Sequence, residues 1–152
     1  MPSFIRRYLA HFVIGATIVA VMMGSYASVA FAPLPTPKAS WTIAPLVISF
    51  TATNLVASRS ESDSVSCSPS AGVVQLIAKS SSPAKLGLTA TLTATPSSFF
   101  SCGSFPNSIT VAASCLVSAA QCKGSYSGQV QLRQPANYRN LPDVLKVLVT
   151  VN

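Results

Sequence analysis

The stretch CLVSAAQCKGSYSGQVQL, residues 115–132, decides between a reactive site and a structural one. Cys115 and Cys122 lie seven positions apart, and a GSYSG run then leads into a segment in which apolar and polar residues alternate. Alternation with a period of two is typical of a β-strand that has one buried and one solvated face. Because a disulfide between the two cysteines would close a short loop, the stretch is predicted to be a stapled corner that enters a strand.

The tyrosine of this stretch lies at the start of the predicted strand. Tyr126 and Gly128 fall on the same face as Val130 and Leu132, which is the inward face. A tyrosine in this position can bury its ring and donate its hydroxyl to nearby backbone. We therefore predict a structural corner made of Gly124, Tyr126 and Gly128, in which Gly128 makes room for the ring. The alternative is a Tyr126 ring that stacks on a ligand.

The same alternation recurs along most of the chain after position 40. No stretch there shows a helical period with caps, and the intervening segments are rich in the turn residues Ser, Pro, Gly and Asn. This pattern predicts an all-β fold, an antiparallel β-sandwich of six to seven strands that follows an N-terminal signal helix. The alternating segments are 46–52, 74–78, 86–95, 109–115, 129–133 and 145–151, with 64–67 as a marginal seventh.

The N-terminus has the pattern of a secretory signal peptide. Two arginines precede the apolar run 12–23, and small residues follow it. Cleavage after Ala30 and cleavage after Ala32 both fit this pattern. The alternative is an uncleaved membrane anchor, although the apolar run is shorter than the roughly 20 residues that a spanning helix needs. We predict a periplasmic, cell-surface or extracellular protein that touches a membrane only if this segment remains attached.

Three segments are predicted along the chain. Residues 1–32 form the signal peptide, and residues 33–40 form a proline-rich spacer with three prolines in its first five positions. Such a composition favours an extended chain over a packed one. Residues 41–152 form one domain, because a segment of roughly 110 residues can bury a single hydrophobic core.

The cysteines are predicted to form two disulfides. An even number of cysteines in an exported chain implies a disulfide framework, and the Cys-x-x-Cys pairs of tetrahedral metal sites do not occur. Four cysteines allow three connectivities, and the sequence does not choose among them. We favour Cys115–Cys122, which closes a short local loop and leaves Cys67–Cys102 as the second pair.

The composition argues against catalysis. The only histidine, His11, lies in the predicted signal, and the only acids are Glu61, Asp63 and Asp143. General acid–base chemistry, nucleophiles with a histidine base and histidine-containing zinc sites need groups that the exported chain lacks. We predict no enzyme activity, no cofactor and no metal. Glu61 and Asp63 are expected to be solvated, since a calcium site needs six or more oxygen ligands.

The charge of the chain is positive, with a formal net charge of +7 at pH 7. The basic residues are scattered and are not interleaved with aromatic residues, so a nucleic-acid partner is not expected. We interpret these residues as solubilising. An anionic polysaccharide or envelope surface is the alternative partner.

Three segments resemble the BACON-type immunoglobulin-like domains of bacterial secreted proteins. They are LVISFTA (46–52), KGSYSGQVQL (123–132) and VLKVLVTVN (144–152). In those domains a Gly-x-Tyr-x-Gly turn precedes the penultimate strand, and a valine-rich strand ends the module. The resemblance covers residues 46–152 and implies a single immunoglobulin-like β-sandwich that binds carbohydrate or mucin. The four cysteines depart from the family pattern.

The resemblance and the composition together predict a non-catalytic binding or adhesion module of the cell surface or periplasm. Its expected partner is a carbohydrate or another envelope protein, and its oligomeric state is left open. The alternative is a structural pilus or fibre subunit that donates the segment 41–53 to a neighbour. Aromatic side chains are the candidate ligand contacts, although some of them would instead cover the core: Trp41, Phe99, Phe100, Phe105 and Tyr138.

Overall fold

The computed structural model describes residues 35–53 and 57–152. The predicted signal peptide and its cleavage sites lie outside the described residues. The described residues form nine strands and one short helical turn, Ala119–Cys122. The strands are β1 (Lys38–Trp41), β2 (Leu46–Phe50), β3 (Ser58–Ser68), β4 (Gly72–Ser80), β5 (Leu86–Leu92), β6 (Phe99–Cys102), β7 (Asn107–Cys115), β8 (Gly124–Gln134) and β9 (Arg139–Val151).

Two curled sheets pack face to face. The four-stranded sheet has the order β1-β3-β7-β5, and the five-stranded sheet has the order β2-β9-β8-β4-β6. All neighbouring strands are antiparallel except β2 and β9, which are parallel. The predicted all-β sandwich is confirmed in this outline. The strand number is nine and not six to seven, because β1 and β6 are too short and β3 is too polar to show a clear alternation.

One hydrophobic core fills the space between the sheets. Each strand contributes alternate residues to it, since successive side chains of a strand point to opposite faces. In β9 the buried residues recur at every second position from Leu145 to Val151, with Lys146 and Thr150 exposed between them. The largest fully buried side chains come from both sheets: Ile48, Val65, Val74, Leu86, Ile109, Val111, Val130, Leu132, Leu145, Val147 and Val149.

The start of the domain differs from the predicted boundary. Strand β1 pairs with β3 in one sheet, whereas β2 pairs with β9 in the other, so the chain crosses between sheets over residues 42–45. Ala39 is buried, and its N–H donates a 3.1 Å hydrogen bond to Asp143 Oδ2. Residues 38–40, predicted to belong to the spacer, are therefore part of the sandwich. The proline composition that suggested a spacer describes only the residues before Lys38.

Two disulfides staple the sandwich, in the pairing that the loop lengths favoured. Cys67–Cys102 joins β3 of the four-stranded sheet to β6 of the five-stranded sheet, across 35 positions of sequence. Cys115–Cys122 closes the seven-residue separation between β7 and β8. Two disulfides indicate an oxidising, extracytoplasmic location. Within residues 35–53 and 57–152, no helix has the length and apolar character to cross a membrane.

Candidate functional site

The stapled corner at the start of β8 centres on Tyr126. Its hydroxyl donates a 2.7 Å hydrogen bond to the Cys122 carbonyl oxygen, and its half-buried ring packs on the core. Gly124 lies beneath the ring with φ +146°, a conformation that L side chains rarely adopt. A Cβ on Gly124 would make only an ordinary van der Waals contact with the ring, 3.7 Å from the tyrosine oxygen, so it is the backbone conformation that favours glycine here. The corner therefore ties β8 to the Cys115–Cys122 loop.

Gly128 has a different role from the predicted one. A Cβ on Gly128 would overlap Leu88 Cδ1, which reaches across from β5 of the other sheet, and would lie 2.9 Å from the Lys79 carbonyl oxygen. The space that Gly128 leaves is thus filled by Leu88 and not by the Tyr126 ring. The sequence showed that a small residue was needed on this face, but not which neighbour needed it.

Three loops lie together at one end of the sandwich, opposite the stapled corner. We call them the loop end: residues 69–71 between β3 and β4, 103–106 between β6 and β7, and 135–138 between β8 and β9. Backbone and side-chain hydrogen bonds join the strand ends beside them. Cys67 N–H donates to the Gly103 carbonyl at 2.7 Å, and Gln134 Nε2 donates to the Ala71 carbonyl at 3.0 Å.

The loop end carries two strongly exposed aromatic rings. Phe105 is 85% exposed and Tyr138 is 79% exposed. Phe99, which is 48% exposed, lies on the outer face of the adjoining strand β6. These three residues were predicted contact candidates; the structure places Phe105 and Tyr138 in loops at the same end of the sandwich and Phe99 on the strand that leads into loop 103–106. Phe100 leaves the candidate set, because it faces the core with only 7% of its surface exposed.

Trp41, the remaining candidate, lies in a strand of the four-stranded sheet and not in a loop of the loop end. It ends β1, where it pairs with Val65 of β3, and its half-buried ring packs against the core. Its Nε1 atom is buried and has no hydrogen-bond partner among the described residues. The packing makes Trp41 a residue that seals the sandwich near its first strand.

Tyr138 has an uncommon backbone conformation. It is the only non-glycine residue of the described chain with positive φ, at 53°. This left-handed region costs most L-residues roughly 1–2 kcal/mol, and glycine or asparagine usually occupies it. Asn137 supports the turn, since its Oδ1 accepts a 3.0 Å hydrogen bond from Arg139 N–H. A tyrosine here is not explained by the turn itself.

The acidic side chains are all engaged in structural contacts. Asp63 is only 4% exposed, and its Oδ1 accepts hydrogen bonds from the N–H groups of Ile43 and Ser64. The prediction that Asp63 is solvated is therefore wrong. The sequence hid this role, because the carboxylate caps the crossing segment that follows β1, some 20 positions earlier in the chain. Glu61 forms an exposed 3.1 Å ion pair with Arg59.

Comparison with protein-family models finds no match to this chain, and a search of curated proteins finds none. The resemblance to BACON-type domains therefore stays a prediction. The assignment of a site rests on the geometry of the loop end and of the sheet faces beside it.

Proposed function

We propose that the chain is an exported, non-catalytic binding module that contacts a carbohydrate or another envelope protein through its loop end. The observation that carries this proposal is the exposure of Phe105 and Tyr138, at 85% and 79%, in loops at one end of a rigid sandwich. Loops on a rigid scaffold are a usual place for binding residues. Aromatic rings supply a large contact area at a low cost in conformational entropy.

The strand order supports an immunoglobulin-like fold as the finer assignment. When the strands are lettered along the chain, the spatial order β1-β3-β7-β5 corresponds to the A-B-E-D sheet of that fold, and the order β9-β8-β4 corresponds to its G-F-C strands. On this assignment the loop end contains the B–C and F–G loops, which bind ligands in variable domains. Two features depart from that pattern. Strand β2 pairs in parallel with β9, and β6, which follows β5 along the chain, pairs with β4 at the edge of the other sheet.

The corner at Tyr126 is a second feature of immunoglobulin-like domains. In that fold a tyrosine near the start of strand F donates its hydroxyl to backbone a few residues upstream. Tyr126 lies near the start of β8, the counterpart of strand F, and donates to the carbonyl of Cys122. The disulfides differ, because neither joins β3 to β8 as the B–F disulfide of antibody domains would.

The state of the acidic residues supports a non-catalytic role. Asp63 and Asp143 accept hydrogen bonds from backbone N–H groups, and Glu61 is paired with Arg59. A general acid or base needs a titratable group within reach of a substrate. Asp63 and Asp143 bond to backbone of their own domain, and Glu61 forms an exposed ion pair; the buried Asp63 Oδ2 has no hydrogen-bond partner among the described residues.

The pairing of the N-terminal strands weighs against a fibre subunit. Strand donation would need the segment 41–53 to leave its own domain and enter a neighbour. In this chain Trp41 ends a strand that pairs with β3, and β2 pairs with β9 along five residues. Leu46 and Ile48 are buried in the chain's own core. Donation would expose that core, so we favour the binding module.

A glycan and mucin array, probed with the oxidised chain, tests the proposed function. The test variant is Phe105→Ser combined with Tyr138→Gly, in which glycine suits the positive φ. The control is Leu116→Ser, which removes a 58% exposed apolar side chain at the opposite end. We expect the parent and the control to bind the same glycans and the double variant to lose them. Absence of binding by the parent would exclude a carbohydrate ligand, and equal binding by the double variant would contradict the loop end as the site.

A further inference from the structure

Positive side chains outnumber negative ones in the sandwich, eight to three within the described residues. Eight Lys and Arg side chains lie within the described residues, and Arg59 alone forms an ion pair there. The three acids are held by Arg59 and by backbone N–H groups, as described above. The cations without an acidic partner in the described chain are Lys38, Lys79, Lys85, Lys123, Arg133, Arg139 and Lys146.

Two of these cations form a row on the outer face of the five-stranded sheet. Lys79 of β4 lies opposite Gln129 of β8, and Gln129 lies opposite Lys146 of β9. All three are exposed, because the residues that flank them along each strand turn toward the core. Neighbouring strands are about 4.8 Å apart, so the two lysines are separated by about 10 Å with an amide between them.

A second row lies nearer the loop end on the same face. It runs from Phe99 of β6 through Gln75 of β4 to Arg133 of β8. Asn140 Oδ1 accepts a 3.2 Å hydrogen bond from Arg133 Nε, which orients the guanidinium. Arg133 is four residues from Gln129 on β8, which places the two rows about 14 Å apart.

No acidic side chain faces outward from this sheet within the described residues. Its single acid, Asp143, bonds to Ala39 of the four-stranded sheet. A surface that carries cations without neighbouring acidic side chains raises the local concentration of anions. Glutamine amides supply donors and acceptors that match hydroxyl groups. The face thus combines cations and amides with one exposed aromatic ring, Phe99, and the exposed apolar side chains Val47, Val73 and Leu148.

We propose that the outer face of the five-stranded sheet binds an acidic polysaccharide. Its anionic groups contact Lys79 and Lys146, its hydroxyls contact Gln129, and a sugar ring packs on Phe99 beside the loop end. This inference rests on the proposed binding function and names its ligand class. The amides between the cations favour a hydroxyl-rich chain. Single-stranded nucleic acid would use several aromatic platforms, and this face has one.

Affinity measurements with defined polysaccharides test the inference. The probes are heparin, which is sulfated, polygalacturonate, which is carboxylated, and dextran, which is neutral. The test variant is Lys79→Gln with Lys146→Gln. The control variant is Lys85→Gln with Lys123→Gln, which removes the same charge just before β5 and β8, outside both rows and at the end away from the loop end. Because both variants lose two positive charges, a difference between them reports position and not net charge.

We expect the parent to bind at least one acidic probe and not dextran. The test variant should bind about tenfold more weakly, and the control should change less than about twofold. The slope of log affinity against log salt should also fall in the test variant, since fewer counterions are released. Equal losses in the two variants would overturn the site. Binding to dextran or to neutral glycans alone would overturn the acidic ligand but leave the binding function standing, and binding to no glycan would overturn both the acidic ligand and carbohydrate binding.

Discussion

Leu88 fills the space that a side chain on Gly128 would occupy. The two residues belong to different sheets, Leu88 to β5 and Gly128 to β8, and a Cβ on Gly128 would overlap Leu88 Cδ1. The Lys79 carbonyl oxygen, 2.9 Å from that Cβ, closes the other side. This contact lets the two sheets approach closely beside the stapled corner.

Gly128→Ala should destabilise the protein by about 1–3 kcal/mol, because the added methyl group overpacks the space between the sheets. In the double variant with Leu88→Ala, the methyl should cost less, although the Lys79 carbonyl prevents full relief. Denaturant unfolding of the parent, both single variants and the double variant measures this coupling. Strictly additive losses would show that the two side chains do not compete for one space.

Tyr126→Phe should lower the free energy of unfolding by about 1 kcal/mol, the net value of one hydrogen bond, because the Cys122 carbonyl loses its 2.7 Å partner. Tyr126→Ala should cost about 1.5–3 kcal/mol, below the 3–5 kcal/mol of a fully buried aromatic ring, since this ring is half-buried. Tyr138→Phe is the control, because its ring is 79% exposed. A Tyr126→Phe variant as stable as this control would show that the Tyr126 hydroxyl does not stabilise the corner.

The two disulfides should differ in their effect on stability. Removal of Cys67–Cys102 by paired alanine substitutions should cost about 4 kcal/mol, and removal of Cys115–Cys122 about 2.5 kcal/mol, because the first closes the longer loop of the unfolded chain. Unfolding without reductant would measure both. A larger loss from the shorter loop would indicate that the corner, and not the cross-link between the sheets, dominates stability.

Asp63→Ala should cost about 2–3 kcal/mol, since it leaves the N–H groups of Ile43 and Ser64 without their charged acceptor. Glu61→Ala, two positions away on the same strand, should change stability by less than about 0.5 kcal/mol, because its ion pair with Arg59 is exposed. Thermal or denaturant unfolding would compare them. Similar small effects would mean that Asp63 is not a structural acceptor.

The sequence predicted the sandwich wherever one face of a strand is apolar and the other is polar. The alternating segments 46–52, 86–95, 109–115, 129–133 and 145–151 form or overlap β2, β5, β7, β8 and β9, and apolar residues in them, such as Leu46, Ile48, Val147 and Val149, are buried. Strand β3 was missed over most of its length. Its first half, SRSESD, has the composition of a loop, and it forms a strand because β7 pairs with it.

The candidate site was predicted only as a set of residue types. Phe99 and Phe100 are adjacent and equally apolar, so composition does not separate them. Strand geometry does, because successive side chains point to opposite faces: Phe100 faces the core, and Phe99 faces solvent. That β6 is a strand follows from its pairing with β4, which depends on residues distant in sequence. The row of Lys79, Gln129 and Lys146 could not be predicted from the sequence for the same reason, since the two lysines lie in one row only because β8 pairs with both β4 and β9.

The most direct test of the binding proposal is a map of amide chemical shifts during titration of the oxidised chain with the strongest-binding oligosaccharide from the array. We predict that the perturbed amides lie in residues 103–106 and 135–138, around Phe99, and at Lys79, Gln129 and Lys146 on the outer face of the five-stranded sheet, with Leu116 unchanged. Perturbations confined to the four-stranded sheet or to the stapled corner would contradict the account, as would the absence of any oligosaccharide that perturbs the spectrum.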